Sequence, residues 1–466
     1  MLAVARTLSL ALPFIFSAVS ALLITDQGTL NGIAISIFLT LALDSIKSDA
    51  QTLARQIIET YNAVPIGSPI GLFDEQYYWW ESGAVWSSMV RYSALTGDSQ
   101  FDDVIAKSLW AQTSDSLNFM PPNQTKTLGN SDQSAWAIAA MTAAETGFKK
   151  PEDGEWVDLV KNVFDNQVAR WDETACGGGL RWQIYSFNAG YDYKDSITTG
   201  AFFLLSARLA QFTGNATYSE WADKSFKWLQ DVKLLSDKYS VYDGTDTNTG
   251  CGTINHIQWS YPFGLLTEGA AVMYNITNGK EIWKSAVQGF ADHLEIFQIN
   301  STVIYEPACD KNGKCSVDQR AYKGLLARSI GLAAVAAPFA ADTFNEVLEI
   351  SAKGAMANCE GVGETWMCAS EWYPAKSKAG PNNRGADLGN LFSALEAVQG
   401  LLDGTALTNA TTNATTPSGT AQLTASGSGT PSKSGSASEA VSTGAARKMN
   451  IAWGGLAPAV LFALLV

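Results

Sequence analysis

From residue 48 to residue 402 the apolar positions follow a helical period and do not alternate as strands would. Ala84, Val85, Met89 and Tyr92 keep that spacing, as do Trp136, Ile138 and Met141, and again Phe202, Leu205 and Leu209. A unit recurs along the stretch: an apolar helix, a turn, then a fresh amphipathic helix. Leu95-Thr96-Gly97-Asp98 leads into FDDVIAKSLWAQ, and Phe212-Thr213-Gly214-Asn215 leads into YSEWADKSFKWLQ. Ile276-Thr277-Asn278-Gly279 leads into EIWKSAVQGFADHL, and Thr146-Gly147 marks a looser copy. Each glycine stands where a helix C-cap belongs. Apolar helices around 324–337 and 388–402 keep the rhythm without the turn. About six helix pairs fit in this length, and repeated pairs must bury their faces on their neighbours. The expected fold is all-α, a closed toroid of helical hairpins with long loops around a central cleft. An open solenoid is the alternative.

The two ends do not follow this pattern. Residues 1–21 combine an arginine, an apolar run and an Ala-Val-Ser-Ala end, the form of a signal peptide. Residues 22–47 are harder to place. Their apolar run from Ile33 to Leu43 is too short to cross a bilayer. It reads as an extra helix or as translated non-coding sequence, and the second is the expectation. From 404 to 446 the chain is Ser, Thr, Gly and Ala with almost no large apolar side chains, which reads as a disordered, O-glycosylated stalk. Arg447 and Lys448 then precede an apolar run from Ile451 to Val466. Small residues, a polar spacer and a terminal apolar tail over 447–466 read as a GPI-anchor signal, with attachment between Ser434 and Gly444. A tail-anchored helix is the alternative.

Charge and cysteines narrow the chemistry. The 466 residues carry a net charge of −14, which argues against a nucleic-acid partner. His256 and His293 are the only histidines, so a His-rich metal site or a Ser-His-Asp triad has no inventory to draw on. Carboxylates are left to move protons. No cofactor or metal motif is present, and neither is expected. The even number of cysteines in a chain with a signal peptide implies disulfides. The expected pairs are Cys309–Cys315 and Cys359–Cys368 as local clips, which leaves Cys176–Cys251. N-glycosylation sequons begin at Asn123, Asn215, Asn275, Asn300, Asn409 and Asn413.

Four loop segments concentrate aromatic, amide and acidic groups: Tyr77–Glu81, Met120–Gln124 with Gly129–Gln133, Gly177–Gln183 and Gln258–Tyr261. Flat rings and planar polar groups are what sugar recognition needs, although most tryptophans in such a chain fill core. The glycine run 177–179 is not a phosphate loop, because no Lys-Ser/Thr follows it.

The segments YYWWESGAVW, MPPNQT, GNSDQSAWAIAAM, CGGGLRWQI, FNAGYDYKDSI, VYDG, IQWSYPFG and DQRAYKGLLAR, in this order, resemble glycoside hydrolase family 76. The resemblance covers about 48–402 and is to its fungal GPI-anchored endo-α-1,6-mannosidases. It implies an (α/α)6 barrel over 48–403 and retaining chemistry on α-1,6-mannan or GPI glycans. It also implies transfer of GPI-glycan remnants to cell-wall glucan at the outer plasma membrane face or cell wall. By resemblance Asp132 is the acid/base, and Ser131 stands where the family carries its nucleophilic aspartate. Retaining hydrolysis needs two carboxyls about 5–5.5 Å apart, so Ser131 raises a second reading: a surface-anchored mannan-binding pseudoenzyme. A third is a structural wall protein. The residues expected at the cleft are Trp79, Trp80, Glu81, Asn130, Gln133, Arg181, Trp182, Tyr193, Asp195, Asp243, Gln258, Trp259, Asp318 and Lys323, the last also a candidate ion pair with Asp318. Asp195 and Pro262 stand where the family usually has asparagine. The segment has a plainer reading too: Asn130 as N-cap with Gln133 as its capping-box partner, and Asp132 merely favouring the helix dipole.

Overall fold

A computed structural model describes residues 32–412 except 152, 301, 364, 374–383 and 386. The segments expected as signal peptide and GPI-anchor signal, most of the expected stalk, and Asn413 lie outside the described residues. Among them are twelve α-helices: α1 (Gly32–Asn62), α2 (Trp79–Thr96), α3 (Asp102–Ala111), α4 (Asn130–Thr146), α5 (Trp156–Ala169) and α6 (Ser196–Thr213). The rest are α7 (Ala216–Asp231), α8 (Ser260–Ile276), α9 (Glu281–His293), α10 (Gln319–Ala336), α11 (Ala341–Ala357) and α12 (Leu388–Thr412). The even-numbered helices form an inner layer and the odd-numbered ones pack outside them. Composition sorts the two layers. α6 buries an unbroken run from Thr198 to Ala210, whereas α7 buries only a stripe through Ala222, Phe226 and Leu229. A helix apolar on all sides needs neighbours on all sides.

The inner helices pack in succession, α2 on α4, α4 on α6, α6 on α8 and α8 on α10. α12 lies against α10 so closely that a Cβ on Gly324 would overlap the Ser393 backbone. The ring then closes from α12 back to α2. Gln399 Nε2 donates to Ser88 O at 3.1 Å, and Arg91 is held between Glu396 and Asp403, with 2.7 Å to the latter. All three ions are buried, so each needs the others to offset its lost hydration. The helices and their closure are those of an (α/α)6 barrel, and the open solenoid is ruled out.

Gly97, Gly147 and Gly214 are left-handed C-caps, as the repeat predicts. In the third copy α8 stops at Ile276, and Gly279 N–H reaches back to Tyr274 O at 2.9 Å. The run Ile33–Leu43 forms the first part of α1. At the other end α12 continues to Thr412, into the stretch assigned to the stalk, since nothing in Thr405-Ala406-Leu407 breaks a helix.

Turns between inner and following outer helices are short, and the returning loops (63–78, 112–129, 170–195, 232–259, 294–318 and 358–387) are long. The described parts of the long loops lead into the N-terminal ends of the inner helices. They carry the short strands, including an antiparallel sheet of β1 (Tyr193–Asp195), β2 (Gly244–Asp246) and β3 (Ile254–Asn255). The disulfides are Cys176–Cys251, which joins two long loops, and the local Cys309–Cys315 and Cys359–Cys368. Of the sequon asparagines, Asn123, Asn215 and Asn300 are exposed. Asn275 is turned towards Ala336 O at 3.4 Å, and the side chain of Asn409 is outside the description.

Candidate active site

The start of α4 is set by the loop that crosses it. Gly129 pairs with Gln183 as an isolated β-bridge, and Asn130 N–H donates to Trp182 O at 2.8 Å. Gly129, not Asn130, is therefore the N-cap. Its N–H donates to Asp132 Oδ2 at 2.8 Å, so the cap partner is Asp132 and not Gln133. This corrects the Asn130/Gln133 capping box. Asp132 does serve as a helix end-stop, but with one oxygen only, and its side chain remains partly open. Asp132 Oδ2 and the Trp182 indole both lie within 3.2 Å of where a Cβ on Gly129 would stand, so a larger residue there would push them apart. Burial pushes the Asp132 carboxyl up to about 6, with the Gly129 N–H and its own N–H opposing. Ser131 beside it is partly exposed and makes no side-chain hydrogen bond among the described residues.

Trp182 leads into an open cavity of about 610 Å3, lined also by Asn188, Tyr193, Asp243, Asp246 and Asn255. Asp192 joins that lining, and no lysine or arginine does. Asp243 is held by three donors: Trp259 Nε1 at 2.9 Å, Tyr193 OH at 2.5 Å and Asn255 Nδ2 at 2.9 Å. Beside Asp243, aromatic rings from three inner-helix starts meet. Trp80 stacks on Tyr261 at 5.8 Å, and Tyr322 lies 5.6 Å from Tyr261 and 5.7 Å from Trp259. Burial raises the Tyr261 phenol, and the carboxylates of Asp132, Glu268 and Asp195 raise it further against Arg328.

Asp195 is buried as the N-cap of α6, accepting from Thr198 N–H and Thr198 Oγ1, each at 2.7 Å. Burial lifts its carboxyl to about 7, the Thr198 bonds oppose, and Asp243 adds to the rise. Asp318 begins α10 and accepts from Ser316 Oγ at 2.5 Å. Glu81 caps α2 through Tyr78 N–H at 2.7 Å; burial drives it up to about 8, with Asp318 and Asp387 contributing.

Several residues expected at the cleft act instead as supports, buried or half-buried. Trp79 packs on Trp136 at 5.2 Å and donates to Gln112 Oε1 at 2.8 Å, so its ring is core. Gln133 is fully buried; it donates to Asn118 O at 2.7 Å and accepts from Arg170. Asn130 Nδ2 holds Arg181 O at 2.9 Å. Lys323 is buried and pairs with Asp310 at 3.0 Å, not with Asp318, because its helix turns it towards the 309–315 clip. Gln258 faces His293 at 3.4 Å. Arg181 braces the cavity wall through Asp172 at 2.9 Å and Asp192 at 3.1 Å.

Lys194, which sequence reasoning passed over, supports that wall from behind. Its ammonium is inaccessible to solvent and donates to Asp172 O, Ala175 O and Gly178 O at 2.9, 2.8 and 2.6 Å. Strand alternation is the signal that could have found it: with Tyr193 at the cavity, Lys194 must point away. Tyr322 and Asn255 were missed because neither stands out locally; Asn255 reaches the cavity lining through β3, and Tyr322 packs behind it on Tyr261 and Trp259.

A family model described as Glycosyl hydrolase family 76 matches residues 45–414. The chain belongs to glycoside hydrolase family 76. Within the family it is similar to mannan endo-1,6-alpha-mannosidase DCW1 of Eremothecium gossypii, 37% identical over 400 residues, or 84% of this chain and 85% of the relative. Mannan endo-1,6-alpha-mannosidase DFG5 of Saccharomyces cerevisiae is 36% identical over 350 residues, 74% of this chain and 75% of the relative. Among solved structures, Dfg5 from Chaetomium thermophilum in complex with glucosamine matches with a TM-score of 0.74 and 36% identity, over 78% of this chain and 91% of that one. The GH76A α-1,6-mannanase of Salegentibacter sp. HEL1_6 has the same family 76 fold at a TM-score of 0.61 and 18% identity, over 76% of this chain and 98% of that one.

Proposed function

We propose that this family 76 protein is a mannan endo-1,6-α-mannosidase that cleaves or transfers α-1,6-mannosidic linkages, with Asp132 as general acid. One observation carries the reading. A carboxyl held at its position by a backbone N–H, and pushed up to about 6, stands beside the tryptophan that opens into an acidic, aromatic-walled cavity. A proton donor is useful when its pKa lies near the working pH, and burial supplies that shift here. Cleavage of a glycosidic bond builds positive charge on the sugar ring. Asp192, Asp243 and Asp246 in the lining favour that charge, with no lysine or arginine in the lining to oppose it.

In the proposed step Asp132 donates its proton to the glycosidic oxygen as the bond to the anomeric carbon breaks. Water or a sugar hydroxyl then attacks that carbon and returns a proton to the Asp132 carboxylate. Ser131 supplies no carboxylate for a covalent intermediate, so attack by solvent or acceptor is the route the residues allow. The names of the relatives support mannan as substrate. The signal peptide and terminal tail support action at the cell surface through a GPI anchor, with cell-wall glucan as acceptor.

Ser131 also favours a second reading, a mannan-binding protein without turnover. The purified chain incubated with α-1,6-mannotetraose, with products followed by mass spectrometry, separates the two. Shorter or longer chains that disappear in Asp132→Asn support the enzyme. Binding without product in the wild-type protein supports the second reading, and absence of binding sinks both.

A further inference from the structure

Beyond the cavity, residues 183–191 form a turn pinned from both sides. Ile184 N–H donates to Leu128 O at 3.2 Å, and Asn188 Nδ2 donates to Thr125 O at 3.1 Å and Gln183 Oε1 at 3.0 Å. Within the turn, Asn188 N–H donates to Tyr185 O at 3.0 Å, and Tyr191 N–H to Asn188 O at 3.2 Å. At its tip Phe187 is 69% exposed, so this rigid backbone holds a large apolar ring out in water. The ring does not stand alone. It stacks on Tyr185 with 5.3 Å between centroids and 15° between planes, and Tyr185 rests on the core. One face of Phe187 is covered and the other is open. Its neighbours Ser186 and Asn188 line the cavity, alongside Trp182, which is itself 39% exposed.

A scattered exposed apolar residue needs no explanation, but this one has three features that scatter does not produce. It is presented by a hydrogen-bonded turn, it is backed by a parallel ring, and it continues the wall of a sugar-sized cavity. A flat ring with one open face is the surface that the C–H face of a pyranose covers.

We propose that Tyr185 and Phe187 form a subsite outside the cavity, where the open face of Phe187 holds one mannosyl unit of a longer α-1,6-linked chain. The subsite rests on the α-mannan reading above. It selects for chain length, because a short oligosaccharide that fills the cavity never reaches the ring, whereas a longer one passing over Ser186 does. Tyr185 fixes the ring plane and is a positioning residue; Phe187 makes the contact.

The test is calorimetric titration of the full chain, in the Asp132→Asn background so that ligands stay intact, with α-1,6-mannotriose and α-1,6-mannohexaose. The longer chain is expected to bind more tightly with Phe187 present. In Phe187→Ala that advantage falls by about three- to tenfold while mannotriose binding holds, and in Phe187→Trp it is retained. Equal weakening for both ligands, or no change for either, overturns the subsite. If the protein with Phe187 intact binds neither ligand, the mannan reading itself fails. A melting temperature unchanged by Phe187→Ala shows that the loss is of binding and not of folding.

Discussion

Replacing Asp132 with asparagine should move activity and stability in opposite directions. The carboxyl is raised from 3.8 to about 6 in the folded protein, chiefly by burial. A shift of that size corresponds to about 3 kcal/mol; the partly open side chain reduces this to about 1–2 kcal/mol. Because folding favours the protonated form, the wild-type protein loses this stability as pH rises from 3.8 to 6. Above pH 6 the loss is complete and constant. The substituted amide carries no such cost, and its oxygen still accepts the Gly129 N–H. For a folded unit of about 360 residues, an unfolding entropy of about 2.1 cal/mol/K per residue makes 1 kcal/mol worth about 1.3 °C. Asp132→Asn should therefore melt about 1–3 °C above wild type at pH 7 and level with it near pH 3.5. Turnover should fall by about 10²–10⁴. In the wild type, kcat/KM should decline above pH 6 as the acid loses its proton. Scanning calorimetry at the two pH values, with mannotetraose turnover on the same samples, gives both readouts. A variant that melts at or below wild type at pH 7 would refute the buried-carboxyl argument, and one that keeps a tenth of the turnover would refute the assignment of Asp132 as acid.

Three further perturbations test separate parts of the structure. Lys194→Met leaves three carbonyls without their donor, costs about 3–5 kcal/mol, and lowers the melting temperature by about 4–7 °C; a shift under 1 °C would mean that the 172–178 loop holds itself. Ser131→Asp sets a second carboxylate beside Asp132 and should raise mannotetraose turnover by about a hundredfold; unchanged product formation would show that attack does not use this position. Gly324→Ala forces a Cβ into the Ser393 backbone where α10 meets α12, and about 1–3 kcal/mol of overpacking should appear in denaturant titration as a lower midpoint.

The sequence by itself determined the helices, the glycine stops at 97, 147 and 214, and the all-α class, because each depends on neighbours within one or two turns. Motif order carried the family, and with it the expectation of Asp132 as acid/base. Only the tertiary structure decided which way each side chain faces. Trp79 and Trp80 are adjacent, yet one packs on Trp136 in the core and the other, half-buried, stacks on Tyr261 in the aromatic group that reaches Asp243 through Trp259. One residue turns a helix by about 100°, so the boundary between core and cleft falls between them once the ring has closed. Lys323 had Asp318 nearby in sequence and took Asp310 instead, since the disulfide-closed loop brings that carboxylate to its buried tip. The cap of α4 moved from Asn130 to Gly129 because a loop more than fifty residues away supplies the acceptor for Asn130 N–H. Local pattern records backbone preference; ring closure through Arg91, Glu396 and Asp403 joins residues about 300 positions apart, and no local period encodes which faces that closure turns inward.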